Sequence, residues 1–91
     1  MTVDQVLPIV QQIMLKELRE VGTYLEPRHV IAESNLEDDL DFDTLEQMVV
    51  LIALEKRFGI ELSDELDDIN ITVRQLAELV VARIAAKPAA E

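Results

Sequence analysis

Ninety-one residues can enclose one modest core but not a deep catalytic cleft with a lid, so a binding or carrier module is expected. The 19 acidic and 8 basic residues give a formal charge of −11, which repels phosphate backbones and anionic bilayers and favours basic protein surfaces as partners. Without any Cys and with a lone His29, the chain has no disulfide framework, thiol nucleophile or Cys-based zinc site.

The first segment, Thr2 to about Val21, places Val6, Val10, Ile13, Met14, Leu18 and Val21 three or four apart, with Gln11, Gln12, Lys16, Arg19 and Glu20 on the other side. This spacing predicts an amphipathic helix. Thr2 and Gln5 can form a capping box, but Pro8 would then sit inside the helix without a backbone donor, so a start near Pro8 stays open. From Gly22 to Asp43 apolar residues are scattered among Pro27, Ser34 and Asn35 with no sustained period. A loop of ~20 residues in a compact domain is usually functional.

Helix signals agree from Thr44 to Phe58. Thr44 and Gln47 read as a capping box, Met48 to Leu54 is apolar, and Gly59 follows Lys56 and Arg57. Seven consecutive apolar residues exceed one helical stripe, so at least one is expected to face outward. Ser63 to Ile69 has room for about one or two turns. Thr72 and Gln75 repeat the capping pattern before Val73, Leu76, Leu79, Val80 and Ile84 form the last apolar stripe. With no alternating strand, the fold class expected is all-α. It is a four-helix bundle of three longer helices and one short third helix, with a long loop between the first and second. Residues 1–86 are expected to form a single domain and 87–91 a disordered tail. The longest uncharged stretch near the middle, Gln47 to Leu54, is far short of the ~20 apolar residues of a membrane span, and the N-terminus has no basic region followed by an apolar one. A soluble, unprocessed, cytoplasmic protein is expected.

Seven acidic residues lie between Glu33 and Glu46 with no basic one, and five more between Glu61 and Asp68. They either form a solvated surface or present one coherent potential to a partner at a helix entrance. Alternating Asp39, Asp41 and Asp43 suggest a calcium loop, but that motif requires Gly at its sixth position and Glu at its twelfth, where this chain has Thr44 and Val50. No His, Lys or Ser completes an acid–base site near these carboxylates, and no enzymatic activity is expected.

The stretch from Asn35 to Val80, "NLEDDLDFDTLEQMVVLIALEKRFGIELSDELDDINITVRQLAELV", resembles the central part of an acyl carrier protein. It has an acidic "DL", a tripeptide that opens the second helix, "ALE" with a following Phe, "I-E" and "DE", and a Thr-Val start to the last helix. In that family the Ser of Asp-Ser-Leu receives 4′-phosphopantetheine from coenzyme A, and the terminal thiol carries an acyl group between enzymes. The resemblance places Asp43, Thr44 and Leu45 at the tripeptide, with Thr44 at the attachment position. It implies a monomeric carrier whose partners are a phosphopantetheinyl transferase and acyl-transferring or condensing enzymes with basic docking surfaces. Helical spacing sets Leu45, Met48, Val49 and Ile52 beside residue 44, either as ordinary core packing or as an apolar strip that meets partners together with Glu46 and Glu55.

The departures from the family pattern are specific. Thr44 replaces Ser and adds a methyl that restricts the hydroxyl, so loading should be hindered. Asp41 stands where Gly is usual, Val49 where an acidic recognition residue is usual, and Lys56-Arg57 where the helix is often acidic. Two readings therefore stay open. Residue 44 bears the arm, or the chain is an unmodified interaction module in which Thr44 only caps the second helix.

Overall fold

The computed structural model describes residues 1–62 and 70–86. Among them are three α-helices: α1 (Val3–Glu20), α2 (Thr44–Phe58) and α3 (Val73–Ala86), with one 3-10 turn at Pro27–His29. The fold is all-α as expected. The short helix expected over 63–69 and the tail over 87–91 lie outside the described residues.

Helix α1 begins at the earlier of its two candidate starts. The Thr2 hydroxyl accepts from the Gln5 N–H, and the Gln5 side chain accepts from the Thr2 N–H at 2.9 Å. Pro8 is contained in the helix and lies on its exposed side. Removing one backbone donor is tolerated there because Val6, Val10, Met14 and Leu18, four apart, bury completely and hold the helix by its packing face. In α2 the buried positions are Gln47, Val50, Leu51 and Leu54, and in α3 they are Val73, Leu76, Ala77 and Val80. Each set is one stripe of a 3.6-residue period. Helix α1 packs on both α2 and α3, while α2 and α3 touch much less. Gly59 ends α2 in the left-handed conformation at φ 66°, and its N–H donates to the Glu55 carbonyl at 2.8 Å. Thr72 and Gln75 cap α3 reciprocally, as their spacing predicts.

The long connection between α1 and α2 is part of the core. Leu25, Val30, Ala32, Leu36 and Phe42 are all buried. It is also sewn to the start of α3: Leu36 N–H donates to the Ile71 carbonyl, Val73 N–H to the Ser34 carbonyl and Arg74 N–H to the Ala32 carbonyl. Asn35 and Thr72 form an isolated antiparallel bridge, and the Asn35 amide donates to the Asn70 side chain at 2.7 Å. Asn35 also organises its own turn, accepting from the Glu37 and Asp38 N–H groups at 2.9 Å each. These bonds satisfy the backbone of an otherwise irregular segment and fix where α2 begins.

Asp41 lies in this connection with φ 54°, the only positive value outside glycine among the described residues. The usual Gly of the resembling family is therefore explained by conformation, and Asp41 takes it at a cost. Replacing Asp41 by Gly should raise stability by up to ~1 kcal/mol, the relief of the left-handed strain less the entropy that Gly adds to the unfolded chain. The shift of the urea midpoint measures it.

Candidate functional site: the N-terminus of the second helix

Helix α2 spans the expected residues, but its cap lies one residue earlier than the sequence suggests. Asp43, not Thr44, is the N-cap: its backbone is extended (φ −85°, ψ 178°), its Oδ1 accepts from the Glu46 N–H at 2.8 Å, and Glu46 Oε1 accepts from the Asp43 N–H at 2.9 Å. The reading in which Thr44 only caps the helix is thereby corrected. Asp is as good a cap as Thr, and two overlapping patterns, Asp43 to Glu46 and Thr44 to Gln47, competed for the same helix start. Burial decides between them. Gln47 turns inward, and its Nε2 donates to the Phe42 carbonyl at 3.0 Å within the core. It is thus committed to holding the incoming chain and cannot close a box on Thr44.

Thr44 is in consequence the first helical residue, exposed, with no hydrogen bond to its hydroxyl among the described residues. The Thr44 and Leu45 backbone N–H groups likewise have no acceptor, as is usual for the first turn of a helix. A hydroxyl here faces solvent beside two open donors and the positive end of the helix dipole. Such a position suits a negatively charged phosphodiester.

The carboxylates around it divide into two sets. Glu46 is engaged on both oxygens, because besides closing the cap it accepts from the Thr23 hydroxyl just past the end of α1. Glu55 accepts from the Leu62 N–H at 2.7 Å and ties the end of α2 to the following loop. Both were expected to meet partners, and the structure shows them with internal duties that sequence reasoning missed. In contrast, Glu37, Asp38 and Asp41 are exposed and their carboxylates accept no hydrogen bond among the described residues. They are the acids free to set the potential of this end of the molecule.

Beside Thr44 runs an apolar strip. Leu45 is 65% exposed, Met48 40% and Ile52 42%, which meets the expectation that the apolar run is too wide for one buried stripe. Val49 is half-buried against the core and forms the inner edge of the strip. Among the described residues no group of three or more His, Cys, Asp and Glu could hold a metal ion, and no helix is long and apolar enough to cross a membrane.

A family model for the phosphopantetheine attachment site matches residues 10–80, and the chain belongs to that family of carrier domains. It is 28% identical over 86 residues to an acyl carrier protein of Thermosynechococcus vestitus, covering 94% of this chain and all of that one. It is 35% identical over 51 residues to a meromycolate extension acyl carrier protein of Mycolicibacterium aurum, covering 56% of this chain and 53% of the relative. The corresponding protein of Mycobacterium tuberculosis is 27% identical over 62 residues, 65% of this chain and 54% of the relative. The chain thus spans about half the length of these meromycolate relatives. The prosthetic group of the family is 4′-phosphopantetheine, and the exposed, unengaged hydroxyl of Thr44 above two open N–H donors fits its phosphate.

Proposed function

We propose that the chain carries an acyl intermediate on a 4′-phosphopantetheine arm at Thr44 and presents it to enzymes of fatty acid, lipid or polyketide biosynthesis in the cytoplasm, itself acting as a monomer without catalytic activity. The observation that supports this most is the release of Thr44 from capping. Because Asp43 and Glu46 supply the cap, the residue 44 hydroxyl is available, and modifying it costs the helix nothing. When bound, the arm supplies a terminal thiol that holds the acyl group as a thioester. The chain contributes a fixed, exposed attachment atom, helix donors for the phosphate, and a surface for recognition. Asp43 and Leu45 flank the attachment atom, Asp43 as the cap that fixes the turn and Leu45 as the first residue of the exposed strip. Met48, Val49 and Ile52 extend that strip, while Glu46 and Glu55 hold the ends of the helix that presents it. The names of the mycobacterial relatives favour a lipid pathway within this range.

Intact mass after incubation with coenzyme A and a broad-specificity phosphopantetheinyl transferase tests the reading. A gain of one phosphopantetheine group is expected. An unchanged mass, with an ordinary carrier loaded in the same tube, would favour an unmodified interaction module instead.

The free acids give a second expectation. Replacing Glu37 and Asp38 by Gln and Asn should slow association with the transferase and flatten its dependence on salt, because they act on the partner and on no internal bond. Stopped-flow traces at two ionic strengths read the effect. The same substitutions at Asp43 and Glu46 would confound it with loss of the cap.

A further inference from the structure

An open groove of about 750 Å³ runs between α1 and α2, on the side away from the core stripe. Its floor is aliphatic, formed by Ile13 of α1 and by Val49, Ile52 and Ala53 of α2. Three cations reach its rim: Lys16, Lys56 and Arg57, all exposed. None of the three is in an ion pair with a described residue, in a chain with 19 acidic residues. Arg57 rests over the Phe58 ring at 5.5 Å, which steadies the guanidinium while leaving its N–H groups able to donate. Glu17 is the single acid on the lining, so the rim remains positive.

We propose that this groove binds a free, monomeric aliphatic carboxylate, its chain along the α1–α2 seam and its head among Lys16, Lys56 and Arg57. Three features select this occupant. The volume falls in the range of small-ligand sites, about 300–1,000 Å³. Its nine lining residues fall well short of the roughly 20–30 that each side of a stable protein interface buries, so a protein partner is a poorer fit. The floor has no aromatic or polar group to orient a ring or a sugar, whereas an alkyl chain needs only apolar surface. The cations then supply charge-assisted hydrogen bonds to the one polar end. From Val49 to Lys56 is two helical turns, roughly 10 Å, so chain and head can be engaged together. The site does not require Thr44 to be loaded, and its test uses the unmodified chain.

Amide shifts in two-dimensional NMR, titrated with dodecanoate below its micelle-forming concentration, test the site. Saturable shifts confined to residues 13–21 and 49–57 are expected, with dodecanol weaker and dodecylammonium giving no saturation. Replacing both Lys56 and Arg57 by Gln should weaken dodecanoate by about tenfold or more in a chain that keeps its folded amide spectrum, the loss of charge-assisted bonds to the head. Absence of saturable shifts, equal response to dodecylammonium, or shifts centred on interior residues such as Leu54 and Leu76 would overturn the proposal. So would co-sedimentation with phosphatidylglycerol vesicles without any response to monomeric dodecanoate, because the groove would then read a lipid surface.

Discussion

Thr44→Ala is expected to abolish phosphopantetheine loading and to leave stability within about 0.5 kcal/mol of the unaltered chain, as for a surface position without internal duties. The two readouts separate because the structure assigns the cap to Asp43. If Thr44 were the cap, the alanine would cost ~1 kcal/mol. Thr44→Ser should load faster than the chain itself with the same melting temperature, since it removes the β-methyl and keeps the hydroxyl at the first helical position. Parallel loading time courses and urea titrations of the three proteins decide the matter. A loss of ~1 kcal/mol or more in Thr44→Ala would show that the hydroxyl is structurally committed after all.

The second large effect is on stability alone. Leu54 is the last residue of the α2 stripe, fully buried in the cluster that includes Met14, Leu62, Leu76 and Val80. Leu54→Ala removes three carbons from a site that neighbouring helices can close only in part, so a loss of roughly 2–5 kcal/mol is expected. A domain of this size holds only ~5–15 kcal/mol in total, and the variant should melt far earlier or be partly unfolded at ambient temperature. Ile52→Ala, on the same helix and 42% exposed, should cost much less. Equal losses at both positions would contradict the burial pattern that leaves α2's apolar strip exposed.

The contrast between Leu54 and Ile52 shows what could be read from the sequence and what could not. Periodicity, Gly59 and the Thr2 and Thr72 boxes locate the helices, because those signals act within a few residues of one another. The width of the apolar run predicts an exposed strip, but the run itself does not say that Met48 and Ile52 face out while Val50 and Leu54 face in. That choice depends on where α1 and α3 pack. The position of the α2 cap was missed by one residue because Asp43-Glu46 and Thr44-Gln47 are both plausible boxes, and only the burial of Gln47 separates them. Bonds between distant segments left no local trace. The Asn35 bridge to Thr72, the Thr23 hydroxyl on Glu46 and the Leu62 amide on Glu55 join residues 37, 23 and 7 apart, respectively. The groove was hidden for the same reason, since its cations come from two helices.

The release of Thr44 from the cap and its proposed use as the attachment point meet in one measurement. The chain, incubated with coenzyme A and a phosphopantetheinyl transferase, is digested, and the added mass is located by fragmentation of the peptide containing Asp43, Thr44 and Leu45. The expected result is one phosphopantetheine group on the Thr44 side chain and none elsewhere. A group on another hydroxyl such as Ser34 or Thr72, or no group on either the chain or its Thr44→Ser variant while a control carrier is fully loaded, would contradict it.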